Sequence, residues 1–329
     1  MWTLRSYKKL LKGNIRDSRL DFGWNRFIMG VKMAENIEIK YLETTGMCNY
    51  NCPICVERPR NYNMSMDDFY SIVETNFQLF NENGVWLDFS GEPLVDPYFF
   101  ERVKFMKSKG LKVRISTNGA LLDKINREKI IASGIDYIVV SISTLDRQMY
   151  RRIRGVDNFE LVLSNLMELK KDVVQNQSDM ELQAVMIDTC DGFDRKKFIR
   201  YFHEKGINVA FHNFTNRSKS VLMDLSNKAE HVFPIKRGLC KGLKSNIGIL
   251  CNCEVVTCCC DFMARNSLGN LKDYEYSIEK IIQNGKLDEI ENNLKAHIYK
   301  GACERCSDWI YYQEESKEKY VTVYPVERE

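Results

Sequence analysis

The chain of 329 residues has no large excess of charge of one sign: 48 Lys and Arg stand against 45 Asp and Glu, a net +3. Bulk charge therefore leaves no footprint of a nucleic-acid partner. Long hydrophobic runs are missing too. The longest apolar stretches are broken within a few residues by Gly, Asp, Ser or Lys, well short of the roughly 20 residues that a spanning helix needs. No secretory leader pattern is present, so the expectation is a cytoplasmic protein with reduced thiols. Histidine is scarce. The four residues, His203, His212, His231 and His297, show no metal-ligand spacing, and each reads as a packed or surface side chain. His212, at a strand end, is a weak candidate for facing a substrate.

Cysteine is abundant. Of twelve, eleven fall in three groups: Cys48, Cys52 and Cys55; then Cys240, Cys251, Cys253, Cys258, Cys259 and Cys260; then Cys303 and Cys306. Disulfide scaffolds belong to small secreted chains, so in this setting grouped thiols read as metal ligands. Cys190 stands alone and reads as a small buried hydrophobe. The length, with 44% hydrophobic and 28% charged residues, fits a globular protein of two units.

From residue 37 the pattern alternates. Strand-like runs are Ile37–Glu43, Gly84–Phe89, Leu111–Ser116, Ile135–Ser143, Met180–Ile187 and Ile207–His212. The first helix opens on a capping-box pattern, Ser65-Met66-Asp67-Asp68, and continues with Phe69, Ile72, Val73, Phe77 and Phe80 at helical spacing. Further helices are predicted near 97–109, 122–133, 158–175 and 192–205, with Gly110, Gly134 and Gly206 as C-terminal stops. Six such β–α units predict a parallel sheet with right-handed crossovers. Residues 1–36 form an N-terminal extension in which Arg5, Lys8, Lys9, Lys12 and Arg16 interleave with Trp2, Leu4, Leu10 and Leu11. It reads as a solvated helix packed on the body, with a membrane-surface helix as the alternative. Residues 214–236 read as a linker.

The first cysteine group, Cys48-Asn49-Tyr50-Asn51-Cys52-Pro53-Ile54-Cys55, follows the first strand directly. Thiolates in so short a loop can converge on one metal centre, either zinc or an iron–sulfur cluster. A closed zinc site needs a fourth ligand, and no Cys or His lies nearby in sequence. Three Cys on a four-iron cluster leave one iron open. The CxxxC and CxxC spacing resembles the radical S-adenosylmethionine (SAM) superfamily. That resemblance implies a partial (β/α)6 TIM-like barrel, with chemistry at the C-terminal strand ends.

The other motifs extend the resemblance over residues 37–306. Ser90-Gly91-Glu92-Pro93 is similar to the family's Gly-Gly-Glu-Pro, which meets the SAM amino group; Ser90 replaces the first Gly. Thr117-Asn118-Gly119 matches a segment that lines the SAM site. Ser141-Ile142-Ser143 resembles Ser-Ile-Asp near the SAM ribose, with Ser143 in place of Asp. Arg154, in Arg151-Arg152-Ile153-Arg154-Gly155, resembles an Arg that pairs with the SAM carboxylate, since two donors suit two acceptors. The C-terminal cysteines resemble the SPASM or twitch extension, a small cysteine-rich iron–sulfur domain with one or two auxiliary four-iron clusters. The simplest set is Cys240, Cys258, Cys303 and Cys306, with Cys259 a rival to Cys258; Cys253 occupies the family's usual Gly position. A zinc ribbon is the alternative.

The implied domains are 37–220, the core barrel, and 235–329, the auxiliary domain. The implied reaction starts with one electron from flavodoxin or ferredoxin, passed through the cluster to SAM. The resulting 5′-deoxyadenosyl radical takes hydrogen from a substrate C–H bond. An auxiliary cluster that accepts the remaining electron would make this a net oxidation, and Asp261 is the candidate base, against a plain turn-forming Asp. The expected substrate is a small molecule. A peptide-modifying maturase and an inactive zinc-binding interaction module are the alternatives.

Overall fold

The computed structural model describes residues 37–55, 60–188, 195–213, 237–304, 306 and 321–326. The basic extension 1–36, the linker 214–236, Cys190 and His231 lie outside the described residues.

Six strands, with helices between them, run in chain order. They are β1 (Ile39–Leu42) and α1 (Met66–Thr75), β2 (Val85–Trp86) and α2 (Phe99–Ser108), β3 (Val113–Thr117) and α3 (Lys124–Ser133). Next come β4 (Tyr137–Ser143) with two helices, α4 (Arg147–Arg154) and α5 (Phe159–Gln175), then β5 (Glu181–Asp188), α6 (Arg195–His203) and β6 (Asn208–Asn213). All six strands fall within one residue of the predicted runs. Strands β1 to β6 are parallel neighbours in order, as crossover helices on one face require. The fold is the partial (β/α)6 barrel. The helix α4 was not foreseen as an element. Asp146 caps its N-terminus by accepting from the Met149 amide at 2.7 Å, and Gly155 ends it at φ +73°.

Strand alternation sorts the side chains. Leu87, Ile115, Ile138, Val140 and Ile142 are fully buried and face the helices, where Phe69, Ile72, Val103, Met106, Val162 and Leu166 pack. The opposite face lines the barrel. Its floor is the Arg114 guanidinium, 4.7 Å from the Trp86 ring and 4.2 Å from the Tyr137 ring, with the two rings edge to face at 5.8 Å. This stack closes the N-terminal end of the barrel with apolar surface.

The later chain adds α7 (Gly242–Ser245), β7 (Ile247–Ile249), β8 (Glu254–Val256), β9 (Ser267–Asn270), α8 (Ile278–Ile282) and α9 (Lys286–Lys295), and β10 (Val321–Tyr324). Strand β7 pairs parallel with β1, and β8 and β9 follow antiparallel. Strand β10 pairs antiparallel with β6 at the other edge. The cysteine-rich region therefore extends the barrel sheet from its first strand, which sets Cys251 beside the segment that follows β1.

Candidate functional site

The segment after β1 is held from below by a buried carboxylate. Glu43 is fully buried, and its oxygens accept from Arg60 Nε at 2.8 Å, the Ser90 amide at 3.1 Å and the Cys251 amide at 3.1 Å. The Ser90 hydroxyl also donates to Glu43. One carboxylate thus joins the start of the cysteine loop, the loop after β2 and the turn after β7. It also explains why β2 is short: Leu87 still donates to the Arg114 carbonyl at 2.9 Å, but the Ser90 amide turns to Glu43 instead.

Gly91 lies against the cysteine loop. A Cβ there would stand 2.2 Å from the Thr45 carbonyl oxygen and 2.7 Å from that of Met47, and the Glu92 amide donates to Met47 at 2.8 Å. The contact is with backbone, so it has little room to yield. Gly91→Ala should lower stability by about 1–3 kcal/mol through overpacking and, where the segment meets SAM as the resemblance implies, weaken SAM binding. Denaturant titration and a SAM binding isotherm on the same variant test this; an unchanged pair of values would refute the close fit.

Glu92 is 2% exposed and turns inward, accepting from Thr117 Oγ1 at 2.7 Å, the Asn118 amide at 2.7 Å and the Leu94 amide at 3.3 Å. Burial pushes its carboxyl up to about 7 against those donors. Its side chain braces the ends of β2 and β3 together, so any ligand contact from this motif falls to the backbone. Asn118 donates from Nδ2 to Asn49 Oδ1 at 2.7 Å, and the same nitrogen is 3.9 Å from Cys48 Sγ. The third strand end therefore touches the first cysteine.

The cysteine loop packs on α4. Tyr50, Cys52 and Ile54 are buried with Ile153, and Cys48 and Cys55 lie against them. Tyr50 Oη is 3.4 Å from Tyr150 Oη and accepts from Asn158 Nδ2 at 3.0 Å. Gly155 allows the approach: a Cβ there would be 3.1 Å from Pro53 Cδ. Arg154 donates from Nη2 to the Ser141 carbonyl at 2.5 Å and to Ser143 Oγ at 2.6 Å. Ser143 itself has φ +66°, outside the usual range for a side-chain-bearing residue. Ser141, Ser143 and Arg154 thus form one unit at the end of β4.

In the C-terminal region the thiols divide. Cys251 and Cys253 are 3% and 0% exposed. Burial pushes both thiols up, that of Cys253 to about 12, with the Glu43 carboxylate adding to the rise at Cys251 and the Asp68 carboxylate of α1 adding to that at Cys253. Cys253 has φ +69°. Glycine adopts such a backbone without cost, which is why this position suits Gly. Asp68 also accepts from Tyr276 Oη at 2.6 Å and pairs with Lys272 at 2.9 Å, so α1 anchors this region.

Cys258, Cys259 and Cys260 lie together. The Cys260 amide donates to Cys258 Sγ at 3.3 Å, and Cys259 Sγ is 3.8 Å from Cys260 Sγ. Hydrogen bonding with Cys259, burial and the nearby Cys306 thiol raise Cys258. Arg237, stacked on Tyr299 at 3.7 Å, clamps the last pair by donating to the carbonyls of Cys303 at 2.9 Å and Cys306 at 3.5 Å. Cys240 opens the segment before α7 and its carbonyl accepts from the Leu243 amide at 3.2 Å. Asp261 is 1% exposed, and its two oxygens accept from the Arg265 and Asn266 amides, each at 2.8 Å. Burial raises its carboxyl. With both oxygens held, Asp261 anchors the turn that carries Asn266 to Cys303 Sγ, 3.4 Å away.

Among the described residues, no three Cys, His, Asp or Glu side chains already converge on a metal position. The donor set nonetheless fits iron: three thiols on one tightly packed loop, with a fourth position left for a ligand.

Residues 42–178 match the family described as the Radical SAM superfamily. The chain carries a radical SAM domain. An uncharacterized protein of Methanocaldococcus jannaschii is 31% identical over 126 residues, which is 38% of this chain and 41% of that protein. A probable GTP 3′,8-cyclase of Saccharolobus islandicus is 33% identical over 141 residues, 41% of this chain and 44% of that protein. The matched stretch thus spans less than half the length of these curated relatives. Among solved structures, BtrN in complex with AdoMet and 2-DOIA superposes with a TM-score of 0.55 at 17% identity, over 88% of this chain and 100% of that one. SuiB of Streptococcus suis, bound to precursor peptide SuiA, gives 0.57 at 14% over 74% and 65%. The protein anSMEcpe, with bound AdoMet and Cp18Cys peptide, gives 0.58 at 13% over 85% and 91%. These likenesses show that the barrel of the radical SAM domain and the sheet extension beyond it form one recurring fold.

Three contributors to the site escaped the sequence reading: Glu43, Arg60 and Tyr50. Glu43 closes a hydrophobic strand with a charge, and Tyr50 is an aromatic between two ligand candidates. Both signals are local, but their partners lie up to 208 residues away.

Proposed function

We propose that this chain is an enzyme that cleaves SAM reductively and uses the 5′-deoxyadenosyl radical to take hydrogen from a C–H bond of a small molecule, with net oxidation of that molecule. The observation that carries the proposal is the junction of the Cys48–Cys55 loop with Asn118 at 2.7 Å from Asn49 and with the Gly91 backbone, a cysteine loop framed by the segments assigned to SAM. Cys48, Cys52 and Cys55 would hold a four-iron cluster, which when bound supplies the electron that breaks the sulfonium bond. The remaining work belongs to the protein. Glu43 and Arg60 set the Ser90-Gly91 backbone against the cysteine loop, where it is proposed to accept from the SAM ammonium. Arg154, held by Ser141 and Ser143, is proposed to meet the SAM carboxylate, and Asn118 and Ser141 to line the rest of the molecule. The Arg114 floor closes the barrel below and excludes water from a radical above it.

The domains proposed are 37–220 for the barrel and 235–329 for the auxiliary region. Cys240, Cys258, Cys303 and Cys306, with Cys259 as rival to Cys258, are proposed to hold one auxiliary four-iron cluster that accepts the second electron. Flavodoxin or ferredoxin is the proposed donor. The names of GTP 3′,8-cyclase and of the 2-DOIA complex point to small molecules. The peptide complexes of SuiB and anSMEcpe favour a second reading, a peptide-modifying maturase. No helix among the described residues is long and apolar enough to cross a membrane.

Anaerobically reconstituted protein, given dithionite and SAM, should release methionine and 5′-deoxyadenosine, measured by chromatography. Brown colour with no such products would remove the activity, and colourless protein containing zinc would leave the interaction-module reading.

The division of the C-terminal thiols makes a further prediction. Cys303→Ala with Cys306→Ala should lower iron by about four atoms per chain, whereas Cys251→Ala and Cys253→Ala should leave iron content unchanged, because those thiols are buried beside the carboxylates of Glu43 and Asp68. Loss of iron from folded Cys251 or Cys253 variants would instead argue for a second auxiliary cluster.

A further inference from the structure

We infer that the middle of the barrel is a binding site for the hydroxyl or ammonium groups of a small polyhydroxylated molecule, with Asp88, Ser116 and Gln183 as the recognising residues; the inference rests on the small-molecule reading above. The inner face of the barrel is identified by Val139, Val185 and Ala210, which pack together with Trp86 and Tyr137. Alternation then puts three polar residues on that face: Asp88, two beyond Trp86; Ser116, two beyond Arg114, which stacks on Trp86; and Gln183, two before Val185. Strand registers bring them to one level. Trp86 pairs with Arg114, so two residues further Asp88 meets Ser116; Ser116 pairs with Val139, and Val139 with Gln183. Below this level is the Trp86–Arg114–Tyr137 floor. One step above, on the same face, come Asn118 and Ser141, which are assigned to SAM. The level lies between the floor and the proposed radical source.

These side chains have unused hydrogen-bonding capacity. Among the described residues, Asp88 Oδ1 and Gln183 Nε2 are buried without a partner, as is Arg114 Nε just beneath. Gln183 is only 3% exposed, and an unsatisfied buried group costs about 1–3 kcal/mol. One orphan atom is commonly a water site. An acceptor and two donors on the same inner face of neighbouring strands make a complementary set. A hydroxyl group meets both needs, because it donates and accepts. Burial pushes the Asp88 carboxyl up to about 7, and Ser116 beside it opposes the rise. Asp88 is itself an acid on this level, the buried Glu92 lies at the next strand end, and the Arg114 guanidinium one step below is taken up by the Trp86 and Tyr137 rings, so the level disfavours an anion and accepts a neutral or cationic group.

Binding is measured by calorimetry on the reconstituted full chain with SAM present, using three probes of similar size: myo-inositol, glucosamine and glucuronate. The expected result is binding of the neutral and cationic probes, and binding of glucuronate about tenfold weaker or less. Asp88→Asn with Gln183→Leu should weaken myo-inositol and glucosamine about tenfold or more, at unchanged iron content and circular dichroism. If the double variant does not fold, Asp88→Asn alone, nearly isosteric, should weaken glucosamine more than myo-inositol. Failure of both polyol probes to bind wild-type protein, equal binding of glucuronate, or wild-type affinity in the folded variants would each overturn the assignment. The wild-type protein's own SAM cleavage separates the two readings: cleavage without probe binding removes this site alone, and probe binding without cleavage removes the proposed activity alone.

Discussion

Replacing Cys48, Cys52 and Cys55 together with Ala should abolish 5′-deoxyadenosine formation and lower iron by about four atoms per chain. The three thiols sit on one loop that Tyr50, Ile54 and Ile153 pack into place. The auxiliary cysteines have their own supports in Arg237 and Asn266, so the iron held by that region should remain. Iron analysis and chromatography of the products on one preparation read both effects. Residual 5′-deoxyadenosine from the triple variant would show that the loop is not the site of SAM cleavage.

Glu43→Ala should cost about 3–5 kcal/mol of stability, the usual penalty for breaking a buried ion pair from one side. Arg60 is 5% exposed and would lose its carboxylate, and the Ser90 and Cys251 amides would lose their acceptor. The loss should extend to SAM binding, because Glu43 fixes the loop that carries Gly91. Replacing Arg60 with Ala as well should restore part of the stability, since the uncompensated charge is gone, but not SAM affinity. Denaturant unfolding of the apoprotein with SAM titrations of the reconstituted protein tests both parts. A loss below about 1 kcal/mol, the range of exposed pairs, would mean that Glu43 does not carry the junction.

Much of the site was legible in the sequence because its signals are local. The CxxxC and CxxC spacing needs only eight residues, and the six strands declare themselves by apolar runs between capped helices, as Ser65 and Asp123 illustrate by accepting from the Asp68 and Asn126 amides at 3.0 and 2.9 Å. Even the capping box was read only in part. The Ser65 half formed, but the Asp68 carboxylate went to Tyr276 and Lys272, since a buried acid near the second region gains more from a phenol and an ammonium than from its own helix end.

By itself, the sequence determined the order of the six barrel strands, the three cysteine groups and the family that residues 42–178 match. Those properties follow from periodicity and short spacing, which the chain carries without reference to its fold. Only the tertiary structure decided which thiols face which partner. Cys251 and Cys258 look alike along the chain, yet one is buried where its amide donates to Glu43 and the other lies with Cys259 and Cys260. The same holds for Asp88, Ser116 and Gln183, three unremarkable polar residues until strand register sets them at one level of the barrel. Hydrogen bonds and burial depend on where the closing of the sheet brings distant segments together, and no local pattern encodes that meeting.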